Sequence, residues 1–125
     1  MLAVDTSTLV AFLEKAVGKD IELFTKHLLA KEICLPPAVI SEVISNPSNN
    51  ASLTQLFSDI QELSLHDGFW QRAGALRQRI LKNGLKANLA DTLIAQSCID
   101  HGVALITRDT DFRHFAKHGG LKLAI

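Results

Sequence analysis

A sequence in which short apolar runs alternate with longer stretches of helical periodicity has few folds open to it, and this chain follows that pattern throughout. Residues 2–4, 33–35 and 103–106 are apolar runs too short for helices, with weaker strand candidates at 62–65 and 121–125. After the first run, Leu9, Val10, Phe12 and Leu13 recur at helical spacing. Further helices are predicted over 20–30, 36–45, 50–60, 69–81, 88–101 and 112–117. Pro36 and Pro37 suit a helix start, because proline's missing N–H costs nothing in the first turn. Gly84 closes a helix, and Gly102 and the Gly119-Gly120 pair mark turns. Strands this apolar are buried on both faces, so the pattern predicts an α/β domain with a parallel sheet between two helical layers. At 125 residues and 47% hydrophobic, the chain fits one domain over 1–125, without repeat or linker.

Charge narrows the function classes. Thirteen basic residues balance thirteen acidic ones, so the chain is no polycation that coats nucleic acid. The balance is uneven along the chain. Met1 to Glu62 holds four Lys and eight acids, whereas Leu63 to Ile125 holds nine basic residues and five acids, giving −4 and +4. Six of those nine, from Arg72 to Arg108, follow Trp70; singly each suits a solvated helix face, and together they suit a phosphate-binding rim. The longest uncharged stretch, 43–58, is broken by Asn46, Pro47, Asn49, Asn50 and Gln55, which excludes a membrane span. An acid at position 5, where a secretory signal carries basic residues, makes the cytoplasm the expected location. Without export, the Asn50-Ala51-Ser52 sequon carries no weight, and Cys34 and Cys98 read as reduced core residues.

In open α/β sheets, ligands bind beyond the carboxyl ends of the strands. The first strand runs into Asp5. The strand over 103–106 runs through Thr107 and Arg108 into Asp109, with Asp111 two residues on. Two more acids, Glu42 and Asp91, lie at the rims of apolar helix faces. Each acid also has a plain structural reading. Asp5 and Asp109 are placed to cap the helices that follow, Asn88 to Asp91 has capping-box spacing, and Glu42 suits an exposed helix position. Those separate roles give no reason for a common placement, whereas one crevice does. His114 and His118 have zinc-pair spacing but lack the accompanying glutamate, since Phe115 follows His114. VDTST has Ser7 where the DxDxT phosphatase loop needs its second acid, and Asp5 stands alone where a receiver domain needs adjacent acids.

These segments resemble the PIN-domain ribonucleases, and among them the short VapC-type toxins of bacterial toxin–antitoxin pairs, nearly end to end. Asp5 in LAVDTSTLVAFL is similar to the family's first acid, Glu42 in LPPAVISEVIS to its second, Asp91 in NLADTLIAQSCIDHG to its third and Asp109 in ALITRDTDF to its fourth. The last two motifs, joined by HGVALITRD, are the specific ones, and AGALRQRILKNGLKANLAD resembles the helix and glycine before the third acid. The resemblance implies a three-layer α/β/α PIN-like fold with a five-stranded parallel sheet of order 3-2-1-4-5. It also implies a metal-dependent endoribonuclease acting on RNA, a homodimer, and a cognate small antitoxin protein as partner.

On that reading Asp5, Asp91 and Asp109 bind metal directly or through water. Glu42 is a water-mediated ligand or the base that orients the nucleophile. Asp111 is a ligand, an outer partner or a cap. Carboxylates without His or Cys suit Mg²⁺ or Mn²⁺ rather than zinc. Ser7 and Thr107 are placed to orient the carboxylates, and Arg108, Arg113, Lys86 and Lys82 are candidates for the RNA phosphates. The alternative from another class is a PIN-like subunit that retains the acids but serves as a binding scaffold in RNA processing.

Overall fold

The computed structural model describes residues 1–47 and 51–125, with the backbone alone for Leu53. Eleven elements follow in chain order: β1 (Leu2–Val4), α1 (Thr6–Leu13), α2 (Lys19–Leu29), β2 (Ile33–Leu35), α3 (Pro37–Ser45), α4 (Ala51–Ser58), β3 (Gln61–Glu62), α5 (Phe69–Lys82), α6 (Leu89–His101), β4 (Ala104–Ile106) and α7 (Phe112–Gly119). Asn50, the expected first residue of α4 and the sequon asparagine, lies outside the described residues. All strand pairs are parallel, in the order β3-β2-β1-β4. Consecutive residues of a strand face opposite sides of its sheet. Ala3, Val4, Cys34, Leu35, Leu105 and Ile106 are all at most 1% exposed, so β1, β2 and β4 are covered on both faces. Gln61 and Glu62 are both exposed, as befits an edge strand.

Among the described residues the sheet has four strands where five were expected. Gly120, at φ 80°, ends α7 in a left-handed turn, and Leu121 folds back with its N–H on the Phe115 carbonyl. The chain then reaches β4 only at Leu105, which donates to Lys122 and accepts from Ala124, each at 2.9 Å. This is an isolated parallel bridge, Leu105 with Leu123. It lies beside β4 in the fifth place, but a three-residue β4 that turns away at Thr107 offers too little edge to extend it. Strand β3 is also shorter than expected and begins one residue earlier. Its register pairs Glu62 with Leu35, the last residue of β2, whose carbonyl accepts the Leu63 N–H at 2.9 Å; the next residue that would face β3 is Pro37, which has no N–H and begins α3.

Helices α5, α6 and α7 pack on one another, and α3 bridges α6 and α1. The last turn of α7 comes so close to α5 that a Cβ on Gly119 would collide with Leu76 Cδ1. Phe24, Phe112 and Phe115 are the largest fully buried side chains. No helix among the described residues is long and apolar enough to cross a membrane.

Candidate active site

Strands β1 and β4 are adjacent in parallel, with Val4 opposite Ile106, so the residues that follow them leave the sheet side by side. The Asp5 N–H donates to the Ile106 carbonyl at 3.0 Å. This is where the strand order reverses, with β2 on one side of β1 and β4 on the other.

Asp5 is 3% exposed and occupies the N-cap position of α1 without capping it. Its Oδ2 instead accepts from Ser7 Oγ at 2.7 Å and from Thr107 Oγ1 at 2.6 Å. Behind these hydroxyls stand two backbone donors: the Arg108 N–H on Ser7 Oγ at 3.2 Å and the Asp109 N–H on Thr107 Oγ1 at 3.0 Å. Each backbone donor occupies a lone pair and leaves the hydroxyl proton for Asp5, so the carboxylate is fixed in orientation. Asp109 Oδ1 accepts the Asp111 N–H at 2.9 Å, a tight-turn contact that orders the entry to α7. Asp111 itself is exposed, at the N-cap of α7, with no side-chain cap bond.

Asp91 is in the first turn of α6 and 8% exposed. Asn88 clasps it: Asn88 Oδ1 accepts the Asp91 N–H at 2.7 Å, and Asn88 Nδ2 donates to Asp91 Oδ2 at 2.9 Å. The cap is real, but it orients the acid instead of consuming it. Burial, and then the charges of Asp5, Asp109 and Glu42, push the Asp91 carboxyl up to about 7, against the Asn88 hydrogen bond. Thus all four acids act on one neighbourhood. Glu42 is half-buried on α3, with Oε1 accepting from Thr6 Oγ1 at 2.7 Å.

The donor set fits a hard divalent cation. Hydrogen bonds among the described residues fall on Oδ2 of both Asp5 and Asp91, leaving Oδ1 of each without a protein donor. Repulsion that lifts the Asp91 carboxyl is the repulsion a cation relieves. Among the described residues, no three acidic, His or Cys side chains form a group arranged to hold an ion.

The basic candidates are distributed around this centre. Lys86 shares a groove of about 360 Å³ with Asp91, Asp111, Asn88 and Arg77. Lys82 lines an adjoining one of about 430 Å³, also with Arg77. Arg113 and Asp109 line a third, smaller cavity with Thr107. The Arg108 guanidinium reaches Asp20 through Nε and Nη2, which withdraws both nitrogens from any phosphate. Glu42 opens onto an apolar groove of about 640 Å³ walled by Leu65, Phe69, Trp70 and Leu89.

A PIN domain family model matches residues 2–118 of the sequence. The chain belongs to the PIN domain family. It is 26% identical, over 132 aligned positions, to ribonuclease VapC11 of Mycobacterium tuberculosis, covering 99% of this chain and 98% of that protein. Its fold is similar to that in VapBC2 of Rickettsia felis bound to a promoter DNA fragment, with a TM-score of 0.72 at 19% identity over 98% of this chain and 96% of that one. It is also similar to that in FitAcB of Neisseria gonorrhoeae, with a TM-score of 0.71 at 16% identity over the same shares.

Three residues that hold candidate site residues in place escaped sequence reasoning. Thr6 holds Glu42, and only its place in VDTST hints at this. Asn88 holds Asp91, and the cap spacing three residues ahead of the acid was the available signal. Asp20 holds Arg108 across 88 positions, and no local pattern announces that pairing.

Proposed function

We propose that this PIN domain is a Mg²⁺- or Mn²⁺-dependent endoribonuclease and the toxin of a toxin–antitoxin pair. The reading rests on Asp5 and Asp109 following adjacent parallel strands at the switch point of the sheet, with Asp5, Asp109 and Glu42 near enough to help raise the carboxyl of the buried Asp91. The similarity to VapC ribonucleases along nearly the whole chain supports the choice of RNA as substrate. The toxin–antitoxin complexes among similar folds support a small protein partner.

In this reading Asp5, Asp91 and Asp109 would hold the metal, which when bound supplies positive charge for the anionic phosphorane and acidifies a water. Ser7 and Thr107 keep Asp5 turned toward the site, and Asn88 does the same for Asp91. Glu42, pinned through Oε1 by Thr6, keeps Oε2 to accept a proton from the attacking water. Lys86 and Arg113 stand beside the acids to take the flanking phosphates, with Lys82 farther along. The homodimer that the resemblance implies belongs to this reading. Phe24 is fully buried, and Phe12, Leu13 and Leu28 pack against the core, so the apolar residues of α1 and α2 mostly stabilise the monomer. The apolar side chains available to a second copy include Leu65, Trp70 and Leu89, which are 41%, 63% and 57% exposed.

Brief induction in a bacterial host tests the toxin reading. Growth should stop, RNA should acquire new ends at defined positions, and co-expression of the neighbouring small reading frame should restore growth and copurify with the chain. Unaffected growth and unaltered RNA would leave a housekeeping PIN nuclease or scaffold as the better account.

A further inference from the structure

The turn after β4 is anchored from outside the acidic cluster. Arg108 lies between Thr107 and Asp109, and its guanidinium grips Asp20 of α2 with a two-pronged fork. Nε donates to Asp20 Oδ2 at 2.8 Å, and Nη2 donates to Oδ1 at 2.7 Å. Nη2 also reaches the Val17 carbonyl at 3.2 Å, and Thr8 of α1 donates to Asp20 Oδ2 at 3.0 Å. Asp20 is 5% exposed, so the pair is well shielded on its acidic side. Gly18 makes room for it: a Cβ there would lie 2.7 Å from Asp20 Oδ1 and 3.0 Å from Arg108 Nη2, at a φ of 152° that disfavours other residues.

The two amides that flank this anchored side chain set the hydroxyls of the site. The Arg108 N–H engages Ser7 and the Asp109 N–H engages Thr107, and both hydroxyls donate to Asp5. We propose that Asp20, acting through Arg108, is a positioning residue of the carboxylate site, holding the 107–109 turn so that the Thr107 and Ser7 hydroxyls face Asp5. Arg108 is then a strut and not a phosphate contact. Only the kinetic part of the test rests on the nuclease reading.

The test compares Asp20→Ala, Asp20→Asn, Arg108→Ala, Arg108→Lys and the double alanine variant. The Arg108 side chain is 36% exposed, so loss of Asp20 releases it to water instead of stranding a buried cation. Amide hydrogen exchange, read without metal or RNA, should rise roughly tenfold at Arg108 and Asp109 in both Asp20 variants, the change expected for one lost charge-assisted bond. Exchange at Leu105 and Ile106 should not change. RNA cleavage should fall roughly 10- to 100-fold in kcat with KM and salt dependence unaltered. Arg108→Lys should not restore it, because an ammonium lacks the fork, and the double variant should be no worse than either single one. If Asp20→Ala fails to fold, the nearly isosteric Asp20→Asn carries the comparison. Unchanged exchange at 108 and 109 overturns the proposal. So does full activity in the Asp20 variants alongside a raised KM and weaker salt dependence in Arg108→Ala, the signature of a phosphate contact. A native chain without RNase activity defeats the nuclease reading, while the exchange result still decides whether Asp20 sets the turn.

Discussion

Near neutral pH the Asp91 carboxyl is balanced between its two protonation states, held up to about 7 by burial and then by the charges of Asp5, Asp109 and Glu42. Its ordinary value is 3.8, so the folded chain binds more protons than the unfolded one between these limits. Stability from this group is therefore full below about pH 4, declines as pH rises through 7, and is flat above that. The metal-free protein should melt lower at pH 8 than at pH 5, and Asp91→Asn should remove part of that difference, at most about 3 kcal/mol. Melting curves in chelator at the two pH values check this, and identical pH slopes in both proteins would refute it. At the neighbouring doublet, Asp109→Asn should reduce cleavage more than Asp111→Asn, because Asp109 raises Asp91 whereas Asp111 is exposed. The reverse ranking in a matched assay would move the fourth acid to Asp111. Removing one hydroxyl behind Asp5, by Thr107→Val, should cost roughly 10- to 100-fold in activity with little change in melting temperature.

Among the elements, α7 and α5 meet where Gly119 passes Leu76, a contact that leaves no volume for a methyl group. Gly119→Ala should destabilise the fold by about 1–3 kcal/mol in urea titrations, and Leu76→Val in the same chain should recover part of the loss by removing the opposing Cδ. Undiminished stability in Gly119→Ala would mean that the helices do not pack this closely. Apolar periodicity made β1, β2, the central helices and the placement of Asp5 and Asp109 legible, because these features depend on neighbours in sequence. The ends of the sheet were not legible in this way. Strand β3 stops where Pro37, without an N–H, turns its partner into α3, and the C-terminal run becomes a bridge because β4 turns away at Thr107, so both outcomes depend on the partner strand. The same limit hid the Thr6–Glu42 and Asp20–Arg108 contacts, which join residues 36 and 88 positions apart.

For the whole molecule, the charge asymmetry of the sequence has a spatial counterpart: Lys86 and Arg113, from the basic half, border the carboxylates. With the exposed Leu65, Trp70 and Leu89 this predicts a homodimer, and light scattering at micromolar concentration should give twice the 13.7 kDa chain mass. Trp70→Glu should shift it toward monomer, whereas a native monomer would contradict the prediction. In the proposed reading four carboxylates form a metal-dependent nuclease site. That reading is tested most directly by incubating the purified chain with RNA and Mg²⁺ or Mn²⁺, with and without chelator, beside an Asp91→Asn variant shown to be folded. Defined cleavage products are expected only from the native chain with metal. Equal cleavage in excess chelator, or by folded Asp91→Asn, would contradict it.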